Sequence, residues 1–309
     1  MKRAALTAGR VLVTLFLLFL LFQRIDRNAF LEALRHLQVG WYALAVLAFL
    51  GTMVASALRW YVLLKPLDPL PFWPLLKGYL VGLFVGNYLP SGGIDVVRGV
   101  YVLPYTNRRA PVFASVVVDR MVGFLAITTV ILVGLPWGVA EVRPYQTWLT
   151  LFSAGVLLAA VLPLERHVYA FVARWLPRIP LGNRLLRLYE QYYLYRTFPG
   201  ALAYAYALSF LILLGFGLTV KFTALGLGSR VPLVETVFFV AIINVLAMIP
   251  VTISGFGLRE GGFVAFFGNL VGAERALALS LLFFGASLIT SLLGALILLI
   301  GGTPRKPMP

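Results

Sequence analysis

Two pairs of charged residues sit inside stretches that are otherwise apolar: Asp95 with Arg98, and Arg259 with Glu260. Each follows a run of helix breakers, Pro90, Gly92 and Gly93 before the first, Pro250, Gly255 and Gly257 before the second. A guanidinium can grip phosphate with two parallel hydrogen bonds. A helix that restarts after a glycine turn adds free N–H groups and a partial positive charge. Arg98 and Arg259 are therefore candidates for holding a phosphate-bearing ligand, with Asp95 and Glu260 holding the guanidiniums when none is bound. Some such partner is needed, because an unpaired Arg at the bilayer centre costs at least about 2.5 kcal/mol. The lesser alternative is that the four residues pair only among themselves and lock the broken helices.

Three further features join this set. Asp119 and Arg120 are adjacent in an apolar run, so on a helix they point about 100° apart and one at least must reach another helix or a cavity. Asn87 and Asn244 each precede the proline of a broken segment and could cap or bridge its ends. For catalysis the inventory is thin: Asp95, Asp119 and Glu260 all have an Arg close in sequence, which makes each a poor general base. The chain has no cysteine, and its two histidines, His36 and His167, lie in polar connections. Redox, disulfide and thiolate-metal chemistry are excluded, and no zinc or iron site, cofactor or nucleotide-cradling Walker pattern is expected.

Composition says what must position these residues. Of 309 residues, 61% are hydrophobic and 12% charged, and the mean hydropathy is +0.93. A soluble domain carries about twice that share of charge, so the chain reads as an all-α polytopic membrane protein, a single integral membrane domain over 1–309. The net charge of +15 fits Lys and Arg flanking spans and meeting anionic headgroups; no nucleic-acid partner is expected.

The predicted order is six full spans and two broken segments. A first span over Val11–Phe22 follows Lys2, Arg3 and Arg10, and Arg24–Gln38 suits a short interfacial helix or an extension of the next span. Span two runs to about Leu64, where Arg59 would snorkel. The four-proline connection Lys65–Lys77 is an ordered turn, and the broken segment 78–102 follows as a re-entrant element. Spans three (about 111–136) and four (about 145–163) complete the first half, 1–163. A basic cytoplasmic loop, 164–200, carries six arginines against two glutamates between Glu165 and Arg196, and its aromatic residues suit the headgroup layer. The second half, 201–300, holds span five (201–225), the second re-entrant segment within 237–273, and span six (276–300). With both termini cytoplasmic, parity makes the two broken segments enter from opposite faces, as in inverted repeats.

At these residues the chain resembles the flippase-like transmembrane family typified by the membrane part of bacterial lysylphosphatidylglycerol synthases. Leu89, Pro90, Asp95 and Arg98 match a Leu-Pro-x-x-x-Gly-Glu-x-x-Arg box, with Ile94 and Asp95 in place of Gly and Glu. Asp119 and Arg120 match an acidic-Arg box. Pro250, Gly255, Gly257, Arg259 and Glu260 match Pro-x-x-x-Gly-Gly-x-Gly-x-Arg-Glu, with Ser254 replacing the first Gly. The resemblance spans about residues 10 to 300 and implies a lipid flippase or scramblase in the cell membrane. The substrate would be a phosphate-bearing phospholipid, glycolipid or polyprenyl phosphate. With the sequence stopping at Pro309, no aminoacyl-transferring domain and no lysine transfer are expected. The rival readings are an integral membrane transferase acting on lipid headgroups and a structural subunit of a cell-envelope complex; self-association is left open.

Overall fold

The computed structural model describes residues 26–87, 93–137, 142–248 and 255–301. Within them the chain is all helical, with no strand. Asp26 caps α1 (Arg27–Arg35), its carboxylate accepting from the N–H groups of Asn28 and Ala29. Phe30, Leu34 and Leu37 pack on the main core, so the amphipathic face is met by protein. Among the described residues, five helices are long and apolar enough to cross a bilayer: α2 (Val39–Leu64), α5 (Arg109–Gly134), α6 (Gln146–Val161, with flanking turns), α9 (Pro199–Gly226) and α12 (Ala273–Gly301). They correspond to expected spans two to six. The expected first span lies outside the described residues, as do the chain ends.

Both interrupted segments fold as helical hairpins. The first is α3 (Phe72–Gly86) and α4 (Gly93–Val102); the second is α10 (Leu233–Met248) and α11 (Leu258–Val271). The breakers Pro90, Gly92 and Pro250 lie outside the described residues. The first hairpin begins six residues earlier than the expected 78. Pro71 caps α3 in an extended conformation and Pro74 falls in its first turn, where a proline sacrifices no intrahelical hydrogen bond. The four-proline stretch is thus part turn and part helix. The hairpin's two limbs lie close because Gly78, Gly82 and Gly86 form a stripe: a Cβ at Gly82 would sit 2.9 Å from the Ile94 carbonyl, and one at Gly86 would overlap the Ile94 side chain.

The mouths of the hairpins are at opposite ends of the bundle. Trp60 and Leu64 of α2, Leu75 of α3, Val102 of α4 and Val112 of α5 form one buried cluster, so the first mouth sits where α2 ends and α5 begins. At the other end the Gln38 N–H donates to the Gly226 carbonyl at 2.8 Å, and Gly134 lies against Phe238 of α10. Arg275, just after α11, reaches Ser229 at 3.5 Å. The 26 residues of α2 separate these ends by roughly 39 Å.

The expected basic loop is largely helical: α7 (Arg166–Trp175) and α8 (Gly182–Leu194). Glu165 caps α7, accepting from His167 and Val168 N–H. Tyr195 donates to the Leu63 carbonyl at 2.8 Å, which places this basic pair at the first hairpin's end of the bundle.

Candidate functional site

Between the hairpin tips lies a cavity of about 360 Å³. From the first tip come Asn87, Gly93, Asp95 and Arg98; from the second, Asn244 and Arg259; from α5, Asp119 and Arg120. Of the predicted ligand-binding residues, only Glu260 is not in the wall; it is fully buried behind Arg259. Asn87 is the C-cap residue of α3 and Gly93 the first residue of α4. Gly255 and Gly257 form the turn into α11 with φ of +76° and +87°, a region that costs a side chain about 1–2 kcal/mol and glycine little.

The charges form a ladder of alternating sign. Arg59 Nε donates to Asp119 Oδ1 at 2.7 Å, and Arg98 Nη2 donates to Asp119 Oδ2 at 2.8 Å. The same Arg98 nitrogen lies 2.8 Å from Asp95 Oδ1, and Asp95 Oδ2 lies 3.1 Å from Arg120 Nη1. Asp119 and Arg120 thus do diverge, each to a different partner. Arg59 does not snorkel: it is buried, lines the cavity and also donates to the Ser209 hydroxyl at 2.9 Å. Lys65 already ends α2, so Arg59, six residues earlier, lies roughly 9 Å deeper along the helix. That spacing was the available signal.

Each tip arginine is also clasped by two aromatic rings. Arg98 lies 4.9 Å from the centre of Trp60 and 4.7 Å from Tyr79; Arg259 lies 4.9 Å from Phe256 and 4.7 Å from Phe284. Trp60 is itself held by its indole N–H donating to Ser115 at 2.9 Å. Ring faces attract a cation without neutralising it. Among the described residues Arg98 Nε and Nη1 have no hydrogen-bond partner, so the rings are what cover them. Trp60, Tyr79 and Phe284 are remote in sequence from the arginine they cover; Phe256 alone lies within one helical turn of its arginine, Arg259.

Arg259 is paired more locally. Its Nη2 donates to Glu260 Oε1 at 2.7 Å, while Oε2 of the same carboxylate accepts the Gly257 N–H at 2.6 Å. Ser280 of α12 adds a third donor at 3.3 Å. Glu260 therefore fixes the glycine turn and the guanidinium together.

Exposure separates the arginines. Arg98 and Asp119 side chains are each 1% exposed, against 35% for Arg120 and 18% for Asp95. The ladder holds three guanidiniums and two carboxylates, and the second tip one of each, so among the described residues the chamber has one positive charge in excess. No metal-holding cluster occurs among the described residues.

Such a fold and chamber define a multi-pass membrane protein with two oppositely opening helical hairpins around a cationic cavity. The chain belongs to the family described as the lysylphosphatidylglycerol synthase TM region, whose model matches residues 7–294, and with it comes a membrane-lipid context. Among curated proteins none matches the chain.

Proposed function

We propose that this protein moves a phosphate-bearing lipid between membrane leaflets, without chemical change to it. The observation that carries the reading is the single excess guanidinium charge in a chamber reached by two hairpins from opposite ends. A phosphodiester monoanion complements that charge. Arg120 exchanges its one carboxylate for the phosphate, and Arg259 closes on it from the second hairpin. Rocking of the hairpins then turns the chamber toward either leaflet. The clustering of Arg residues near α7 and α8 supports placing the first hairpin's mouth on the cytoplasmic side.

A non-enzymatic role is supported by the carboxylates: Asp95, Asp119 and Glu260 are each committed to guanidiniums, so none stands ready as a base. The test is reconstitution into vesicles with a fluorescent phosphatidylglycerol and a leaflet-accessibility assay. Arg120→Gln and Arg259→Ala are each expected to slow translocation about tenfold, the loss of one charge-assisted hydrogen bond of about 1.5 kcal/mol. Equal rates in wild type and both variants would reject the assigned grip.

A further inference from the structure

A second hollow, of about 710 Å³, lies on the flank of the bundle between α4, α5, the end of α6 and α8. Its walls are apolar, with Val96 from α4, Val117 and Met121 from α5, Ala159 from α6 and Leu188 from α8. Tyr189 and Tyr192 close one side. Their hydroxyls donate to the carbonyls of Pro163 (2.8 Å) and Ala160 (3.2 Å), which pins α8 across the end of α6.

Among the described residues the only charged ones in this groove are Asp95 and Arg120, and both also line the central chamber. Their ion pair is a wall common to the two spaces. It is the most accessible link of the ladder, and among the described residues Asp95 is the one carboxylate paired with its guanidinium. Opening it joins an apolar groove to a polar chamber carrying one excess positive charge. An amphiphile with a hydrocarbon chain and one negative charge at its end complements that combination. A soluble anion would use the chamber and leave the groove without purpose.

We infer that the groove is the chain-side half of a lipid site. It holds an acyl or isoprenoid chain while the lipid phosphate displaces Asp95 from Arg120, and the Asp95–Arg120 pair is the gate between groove and chamber. This rests on the reading of the chamber as a lipid-phosphate site. The groove contributes position more than affinity, since a hydrocarbon chain is solvated as well by the bilayer as by apolar side chains. Arg120 lies eleven residues into α5, roughly 16 Å from its start and so about halfway through a ~30 Å hydrocarbon core. A phosphate brought to that depth needs its chain to leave sideways through apolar surroundings, and the groove is such an exit.

The test uses the full chain in vesicles of phosphatidylcholine and phosphatidylglycerol containing a trace of phosphatidylglycerol with a diazirine midway along one acyl chain. After irradiation, adducts are mapped by mass spectrometry. Labelling of segments 113–121 and 185–192 is expected to exceed that around the outward-facing Leu299 several-fold. Val117→Trp, which fills the groove at an exposed position, should abolish the excess, and Arg120→Gln should lower it several-fold. Leu299→Trp should leave it unchanged. Uniform labelling of all lipid-facing helices in the unmodified protein overturns the inference, whatever the variants do. Equal enrichment with an uncharged diazirine diacylglycerol overturns the role of the gate. Labelling requires no transport, so groove enrichment without translocation upholds this site and rejects the translocator reading. Translocation with uniform labelling does the reverse.

Discussion

Arg98 and Arg120 are both guanidiniums on Asp95, yet their burial gives them different work. Arg98 is sealed between two rings and two carboxylates, which suits a fixed part of the frame. Arg120 is one-third exposed with a single partner, which suits exchange. Asp119 carries the frame, since it accepts from both Arg59 and Arg98. Asp119→Asn leaves two buried guanidiniums short of charge and should destabilise the protein by about 3–5 kcal/mol. The check is thermal unfolding in detergent, where Arg120→Gln should unfold close to wild type. A smaller drop for Asp119→Asn than for Arg120→Gln would contradict this division of roles. Sequence reasoning found Asp119 and Arg120 from their isolation in an apolar run. It missed Arg59, whose partners lie 60 and 150 residues away.

At the scale of elements, the first hairpin depends on backbone-to-backbone closeness. Gly82→Ala places a methyl 2.9 Å from the Ile94 carbonyl, and a carbonyl in a helix cannot yield as a side chain can. A loss of about 1–3 kcal/mol is expected, read as a lower unfolding temperature. Gly51→Ala in α2 meets nothing within 4 Å and should be neutral or stabilising by up to about 1 kcal/mol. Outside the spans, the N–H groups of His167 and Val168 hold the Glu165 carboxyl below its ordinary range. Its cap on α7 is therefore complete above the unfolded carboxylate pKa and is lost as pH falls through the lower, folded value. Amide-exchange protection at 167–169, corrected for intrinsic rates, should fall in that acid window and be low at every pH in Glu165→Ala. The helical nature of α7 and α8 was hidden in the sequence by the charges and prolines that made the segment read as a loop.

Across the whole molecule, the ladder, the second tip and the flanking groove meet at one depth. A chamber with one excess positive charge should distinguish lipids by headgroup charge. Translocation of phosphatidylglycerol should exceed that of an uncharged diacylglycerol glycolipid by about tenfold in wild type, and Arg120→Gln should erase most of the preference. Competition between the two lipids in the same vesicles measures this. A preference that survives in Arg120→Gln would place the discriminating charge elsewhere. The opposed entry of the hairpins followed in the sequence from counting crossings, and the structure reaches it independently through contacts at each end of α2.

Membrane class, the five described long helices, the two interruptions and their charged residues were all legible in the chain itself. Each is a local property: hydropathy over some twenty residues, a glycine or proline at a break, a charge in an apolar run. Which arginine lies between rings, which meets a carboxylate and which stays open to exchange was decided only by packing. Arg59, Arg98 and Asp119 come from three helices, and their separations of 2.7–2.8 Å exist because those helices cross at one depth. Nothing in the neighbouring residues of any one of them encodes that meeting.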